Sequence, residues 1–163
     1  MGQNGGHAFE WFLPEPLINV NKFLVSHGDD INIIQVMMFD GVKNTYSPEY
    51  GLNKGKRQDS WEVPKDEYIT QVEYINGNKW INGFNLITNK GTKSPRFGSS
   101  SGQYKIVTFP TGYRVIGIYG RCGLYVDALG FVLGKTVIPD SEEYESIQTK
   151  GDSLPEIIRV ELE

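Results

Sequence analysis

The chain is predicted to be all-β, on three observations. Its apolar segments are short, rich in β-branched and aromatic residues, and bounded by Gly, Pro, Asn and Asp. Its 163 residues include 19 Gly, 9 Tyr and 8 Phe, a composition suited to many strands joined by turns. Third, one pattern recurs: apolar, Asn or Asp, small or apolar, large apolar, variable, large apolar. It stands at Ile31-Asn32-Ile33-Ile34-Gln35-Val36, at Ile81-Asn82-Gly83-Phe84-Asn85-Leu86 and at Val126-Asp127-Ala128-Leu129-Gly130-Phe131, each following a glycine turn at Gly28, Gly77 or Gly123. The starts are 50 and 45 residues apart, the size of a repeated multi-strand unit whose neighbours cover each other's apolar faces.

Taken in order, His7 to Leu13 reads as a first strand, entered through the glycine-rich Gly2-Gln3-Asn4-Gly5-Gly6 and ended by Pro14 and Pro16. Leu17 to Val25 is a second, with Ser26-His27-Gly28-Asp29-Asp30 as a turn. Ile31 to Phe39 is strongly apolar, and Asp40-Gly41 is a hairpin signal. From Lys43 to Ser60 the chain is polar and glycine-punctuated, which predicts short edge strands and loops. Tyr68 to Ile75 alternates as a strand with two faces, Asn76-Gly77 turns it into Trp80 to Thr88, and Asn89-Lys90-Gly91 closes that hairpin. Lys93 to Gln103 reads as a Gly/Ser-rich loop, followed by strands from Tyr104 to Phe109 and from Tyr113 to Tyr119. No amphipathic segment of helical length precedes residue 135.

Composition excludes several functions. A net charge of -4 argues against nucleic acid, which needs a basic face. No stretch approaches the roughly 18 apolar residues of a membrane span, so no membrane insertion is expected. The start lacks the basic and apolar parts of a signal peptide. A single cysteine, Cys122, forms neither an internal disulfide nor a metal cluster and fits a reducing compartment. The expected location is therefore cytoplasmic, or exported by a route without a signal peptide.

The informative stretch is Gly120-Arg121-Cys122-Gly123-Leu124-Tyr125-Val126-Asp127. Gly123 permits a tight turn with main-chain N–H groups facing outward, and Asp127 sets an acceptor-only carboxylate beside them. Converging donors and a carboxylate suit a neutral, hydroxyl-rich ligand such as a sugar. A hairpin loop in which Asp127 caps its own turn has the same local sequence.

The chain resembles a jacalin-related lectin. The resemblance rests on Gly2-Gln3-Asn4-Gly5-Gly6-His7-Ala8-Phe9, Gly28 to Val36, Glu67 to Val72, Leu86 to Gly91, Pro95-Arg96-Phe97-Gly98 and Ile116 to Gly130, six fragments in order over residues 2 to about 134. It implies a β-prism: three four-stranded Greek-key sheets about a pseudo-three-fold axis, over residues 1–135. It places one sugar between the first glycine-rich loop and the GxxxD turn, with Gly5, Gly6, Gly123, Leu124, Tyr125 and Asp127 as the carbohydrate-binding residues. The backbone N–H groups of Gly6, Leu124 and Tyr125 would donate, and the Asp127 carboxylate would accept from two hydroxyls. It implies neither metal nor cofactor, and no bond-breaking. Gly5-Gly6 runs unbroken from Met1, which resembles the mannose- and glucose-binding branch rather than the cleaved galactose-binding one; Leu124 departs from that branch, where a polar residue often stands. A second sugar site would use Gly28, Asp29 and Asn32. There Asn32 replaces the aspartate, and neutral hydrogen bonds are roughly half as strong as charge-assisted ones. The third loop, Gly77 to Asn82, holds Lys79 and Trp80 and is expected not to bind.

His7 and Cys122 both flank the proposed site, but no orienting partner or oxyanion donor set accompanies them, so the protein is expected to be a lectin without catalysis, its alternative being a structural or protein-interaction prism with a degenerate site. Glycans, mannose- or glucose-type before galactose, are the expected partners. One shallow site binds weakly, so a homo-oligomer or a place in a larger protein is expected to supply avidity. Residues 136–163 carry eight acidic residues against Lys150 and Arg159. Ile158, Val160 and Leu162 alternate with charged residues there, which fits an added edge strand, pairing with another subunit, a linker to a further domain, or a solvated acidic extension.

Overall fold

The computed structural model describes residues 6–13, 19–39, 42–77, 79–135 and 156–163; Gly5, the Asp40-Gly41 turn signal and the tail up to residue 155 lie outside that set. The described residues form twelve strands. They are β1 (His7–Phe12), β2 (Val20–His27), β3 (Ile31–Phe39), β4 (Asn44–Tyr46), β5 (Arg57–Glu62) and β6 (Ile69–Asn76), then β7 (Ile81–Thr88), β8 (Phe97–Gly98), β9 (Gln103–Thr108), β10 (Tyr113–Cys122), β11 (Val126–Lys135) and β12 (Ile157–Glu161).

They pair as three antiparallel four-stranded sheets, ordered β4-β3-β2-β5, β8-β7-β6-β9 and β12-β11-β10-β1. Each sheet is one repeat: a long central hairpin with a strand on either flank. The third takes its flanking strands from the two ends of the chain, which closes the prism. The repetition extends to irregularities. Register shifts fall at Ser26/His27, Ile75/Asn76 and Arg121/Cys122, and again at Val20/Lys22, Ile69/Gln71 and Val115/Gly117. β-Bulges in the same two places of every hairpin give the three sheets the same bend.

The recurring pattern is the core. Ile31, Ile34, Val36, Ile81, Phe84, Leu86, Val126, Leu129 and Phe131 are each 2% exposed or less. These are the apolar positions at which β3, β7 and β11 face the axis. Phe131 sits between sheets, its ring 6.4 Å from Phe23 and 5.7 Å from Phe109. Burying a side chain of this size contributes about 1.5–3 kcal/mol, so nine of them anchor the prism.

Several boundaries differ from the sequence reading. His27, placed in a turn, ends β2 and is fully buried. Its Nε2 lies 2.6 Å from Asp59, and its Nδ1 accepts the Gly98 N–H at 2.8 Å, tying the first sheet to the second. β8 arises inside the expected loop, where Phe97 is fully buried against Phe84. β10 runs three residues beyond Tyr119, because Gly120 lets the Ala128 carbonyl approach to where a Cβ would stand, 1.9 Å away. The tail supplies β12, the edge strand beside β11, with Leu162 buried beneath it.

Candidate functional site

Three hairpin turns, β2–β3, β6–β7 and β10–β11, share one pole of the prism. Trp80 of the second donates its Nε1–H to Asp30 of the first at 3.2 Å. The Leu124 carbonyl of the third accepts the N–H groups of Leu52 and Asn53, at 3.3 and 3.0 Å, from the loop before β5.

The β10–β11 turn is built from Gly123, Leu124 and Tyr125, between the paired Cys122 and Val126. The Gly123 N–H donates to the Tyr125 carbonyl at 3.0 Å. This corrects the expectation of outward N–H groups at the glycine: its own N–H closes the turn. The loop before β5 holds the Leu124 carbonyl, and a trans peptide is planar, so the Tyr125 N–H on the same peptide points away from that loop. Leu124 and Tyr125 are 55% and 38% exposed.

Gly6 meets this turn because β1 pairs with β10, His7 opposite Cys122. Gly6 then lies against the turn with φ +69, and a Cβ there would stand 2.0 Å from the Cys122 carbonyl oxygen and 2.7 Å from the Gly123 Cα. No side chain fits between backbone and backbone. Gly6→Ala is accordingly expected to destabilise the fold by roughly 1–3 kcal/mol, combining a left-handed φ with the clash. Thermal unfolding reads this as a Tm lower by several degrees.

Asp127, second residue of β11, is partly exposed, and no donor among the described residues engages its carboxylate. Burial pushes its pKa up, the Arg121 charge opposes that, and Asp30 adds to it. Arg121 itself donates to the Gly6 carbonyl at 2.7 Å. His7 Nε2 and Cys122 Sγ are 3.8 Å apart, but burial pushes the thiol up, which keeps it protonated and unreactive.

The structure thus brings Gly6, Gly123, Leu124, Tyr125 and Asp127 together; Gly5 lies outside the described residues. Gly28 and Asp29 lie in the β2–β3 turn, closed by the Gly28 N–H on the Asp30 carbonyl at 3.1 Å, and Asn32 is the second residue of β3. Asn32, however, is 7% exposed and covered by Gly55, whose Cβ position is 2.6 Å from the Asn32 Oδ1. Beside the β6–β7 turn, Asn82, the second residue of β7, donates its Nδ2–H to the Ser101 carbonyl at 2.8 Å. Two residues at the β10–β11 turn were not singled out from sequence, Arg121 and Leu52. Arg121 stood within the motif, but its partner Gly6 is 115 positions away.

Three pseudo-equivalent four-stranded sheets with glycine-bearing turns at one pole define a β-prism. The family model of the jacalin-like lectin domain matches residues 1–132, and the chain belongs to that family. Among relatives, it is 32% identical over 137 residues to myrosinase-binding protein 2 of Arabidopsis thaliana, which covers 79% of this chain and 19% of that protein. It is 25% identical over 100 residues to a Schizosaccharomyces pombe protein carrying a zinc-metalloproteinase name, covering 60% of this chain and 16% of that one. The chain therefore spans less than a fifth of the length of these relatives. Among solved structures, a prostate-specific WGA16 glycoprotein lectin aligns with a TM-score of 0.68 at 24% identity, covering 84% of this chain and 96% of that one. A mannose-binding jacalin-related lectin from Ananas comosus aligns with a TM-score of 0.61 at 21% identity, covering 78% and 96%.

Proposed function

We propose that this protein is a non-catalytic lectin that holds one mannose- or glucose-type residue between Gly6 and the Gly123–Asp127 turn. The observation that carries the reading is the contact of Gly6 with Cys122 and Gly123, beside a carboxylate that no described donor occupies. Sugar hydroxyls would donate to Asp127 and accept from the backbone N–H groups of Gly6, Leu124 and Tyr125. Mannose binding by the Ananas comosus neighbour supports the sugar class. The covered Asn32 favours one working site over two. The match to the S. pombe protein spans a minor part of it and carries no peptidase reading, and the described residues hold no group of three His, Cys, Asp or Glu placed for a metal. A homo-oligomer, or a place in a longer protein, would supply avidity.

Calorimetry with methyl α-mannoside, methyl α-glucoside and methyl α-galactoside tests this. Binding of the first two in about the millimolar range is expected, with the galactoside silent. No heat with any of the three on folded protein would favour the second reading, a protein-interaction prism, for which the exposed Leu124 speaks.

Acid should release the sugar. A protonated Asp127 loses an acceptor and its charge-assisted bonds. Because burial raises its pKa, affinity falls as pH drops through a range above that of an ordinary aspartate, about 3.9. Affinity measured in steps from about pH 7 to 4 checks both the sign and the position.

A further inference from the structure

Arg121 lies on β10 opposite Ala8 of β1 and Ala128 of β11. Directly paired residues of an antiparallel sheet project from the same face, so two of the smallest side chains flank the guanidinium and give it room. It reaches the Gly6 carbonyl at 2.7 Å, and its charge acts on Asp127 through space. An arginine near a carboxylate would ordinarily form a bidentate pair, filling the acceptor positions a ligand needs.

We propose that Arg121 is the positioning residue of the sugar site: by bonding the Gly6 carbonyl it fastens Gly6 to the β10–β11 turn, and it sets a positive charge beside Asp127, whose carboxylate oxygens no described donor occupies and sugar hydroxyls would use. This rests on the lectin reading and says how the two distant halves of the site are held and charged. Among the described residues, three charged or titratable groups act on Asp127. Arg121 and Cys122 come from β10, and Asp30 comes from the β2–β3 turn, where Trp80 Nε1–H engages its carboxylate. Among the described residues, Arg121 is thus the cation that opposes burial and Asp30 in setting the charge state of Asp127.

Two measurements on the full chain test it, with Arg121→Met and Arg121→Lys. A carbon-detected NMR titration of the Asp127 carboxyl needs no sugar, and calorimetry with methyl α-mannoside reads the site. In Arg121→Met the carboxyl should titrate at higher pH than in the parent. Affinity near neutrality should fall roughly tenfold, the size expected for one lost charge-assisted hydrogen bond. Arg121→Lys should return the titration toward the parent and recover part of the affinity. A merely structural arginine would lower affinity by one factor at every pH and leave the Asp127 titration where it was. An unmoved titration, or undiminished affinity, in a folded Arg121→Met protein overturns the role of Arg121 while the lectin reading stands. A parent protein that binds no glycoside overturns both.

Discussion

Asp127→Asn is expected to abolish sugar binding and to raise the melting temperature at neutral pH. The loss follows from the chemistry of the site. An asparagine keeps the shape but brings one acceptor, two donors and no charge, so hydrogen bonds worth about 1.5–3 kcal/mol each become weaker or repulsive, and affinity falls by roughly a hundredfold or more. The gain in stability follows from the pKa. Burial raises the folded-state value above the unfolded one. Between those two values the native state holds a proton that the unfolded chain has released, so stability declines as pH rises through that window. At neutral pH the full cost of a partly buried carboxylate that no described donor engages is present, and the amide removes it. The difference between variant and parent should shrink on acidification, as the parent's Asp127 protonates. Scanning calorimetry at about pH 7 and pH 4, alongside a mannoside titration, checks both halves. A variant that melts lower at neutral pH, or still binds, would contradict this account.

The same residue shows how far sequence reasoning reaches. The core was legible, because the six-residue pattern is set by local physics. A strand start that must turn its apolar side chains to a shared axis can be written in only a few ways, and all nine apolar positions of the pattern are buried. The class and the three hairpins followed from it. Pairing of His7 with Cys122 was not legible in that manner, since it joins residues 115 apart and no periodicity reports it; the family resemblance set the two beside one site but gave no pairing. His27 shows the limit. Among Gly28, Asp29 and Asp30 it reads as a turn residue, yet Asp59 and the Gly98 N–H, 32 and 71 positions away, hold it inside. Phe97-Gly98 was hidden for a similar reason, as two residues in a polar glycine-rich context carry no alternation. Asn32 read as a weakened ligand, and only the fold brings Gly55 over it.

Leu162→Ala should be the most destabilising single substitution among the last eight residues, costing roughly 2–4 kcal/mol. At about 2–4 °C per kcal/mol for a chain of this size, Tm falls by roughly 5–15 °C. Leu162 is 5% exposed, and its N–H donates to the Leu129 carbonyl at 2.9 Å. The neighbouring Glu163 carbonyl accepts from the Tyr74 hydroxyl at 2.9 Å and from the Lys105 Nζ at 2.8 Å, which binds the end of β12 to the β6–β9 sheet. Arg159 reaches across the outer face to Glu10 of β1 at 2.9 Å, and that bond lowers the Glu10 pKa. A depressed carboxylate contributes stability above its unfolded pKa and loses it as pH falls through the folded one, so this clamp weakens in acid. A solvated acidic extension would respond differently: surface substitutions usually change stability by less than about 0.5 kcal/mol. Urea unfolding of Leu162→Ala against Glu161→Ala separates the two, since Glu161 is exposed on β12. β11 lies between β10 and β12, and Asp127 is its second residue. Removing the Leu162 side chain therefore loosens the strand that presents the carboxylate, and sugar affinity should decline in step with the folded fraction rather than by a separate loss at the site.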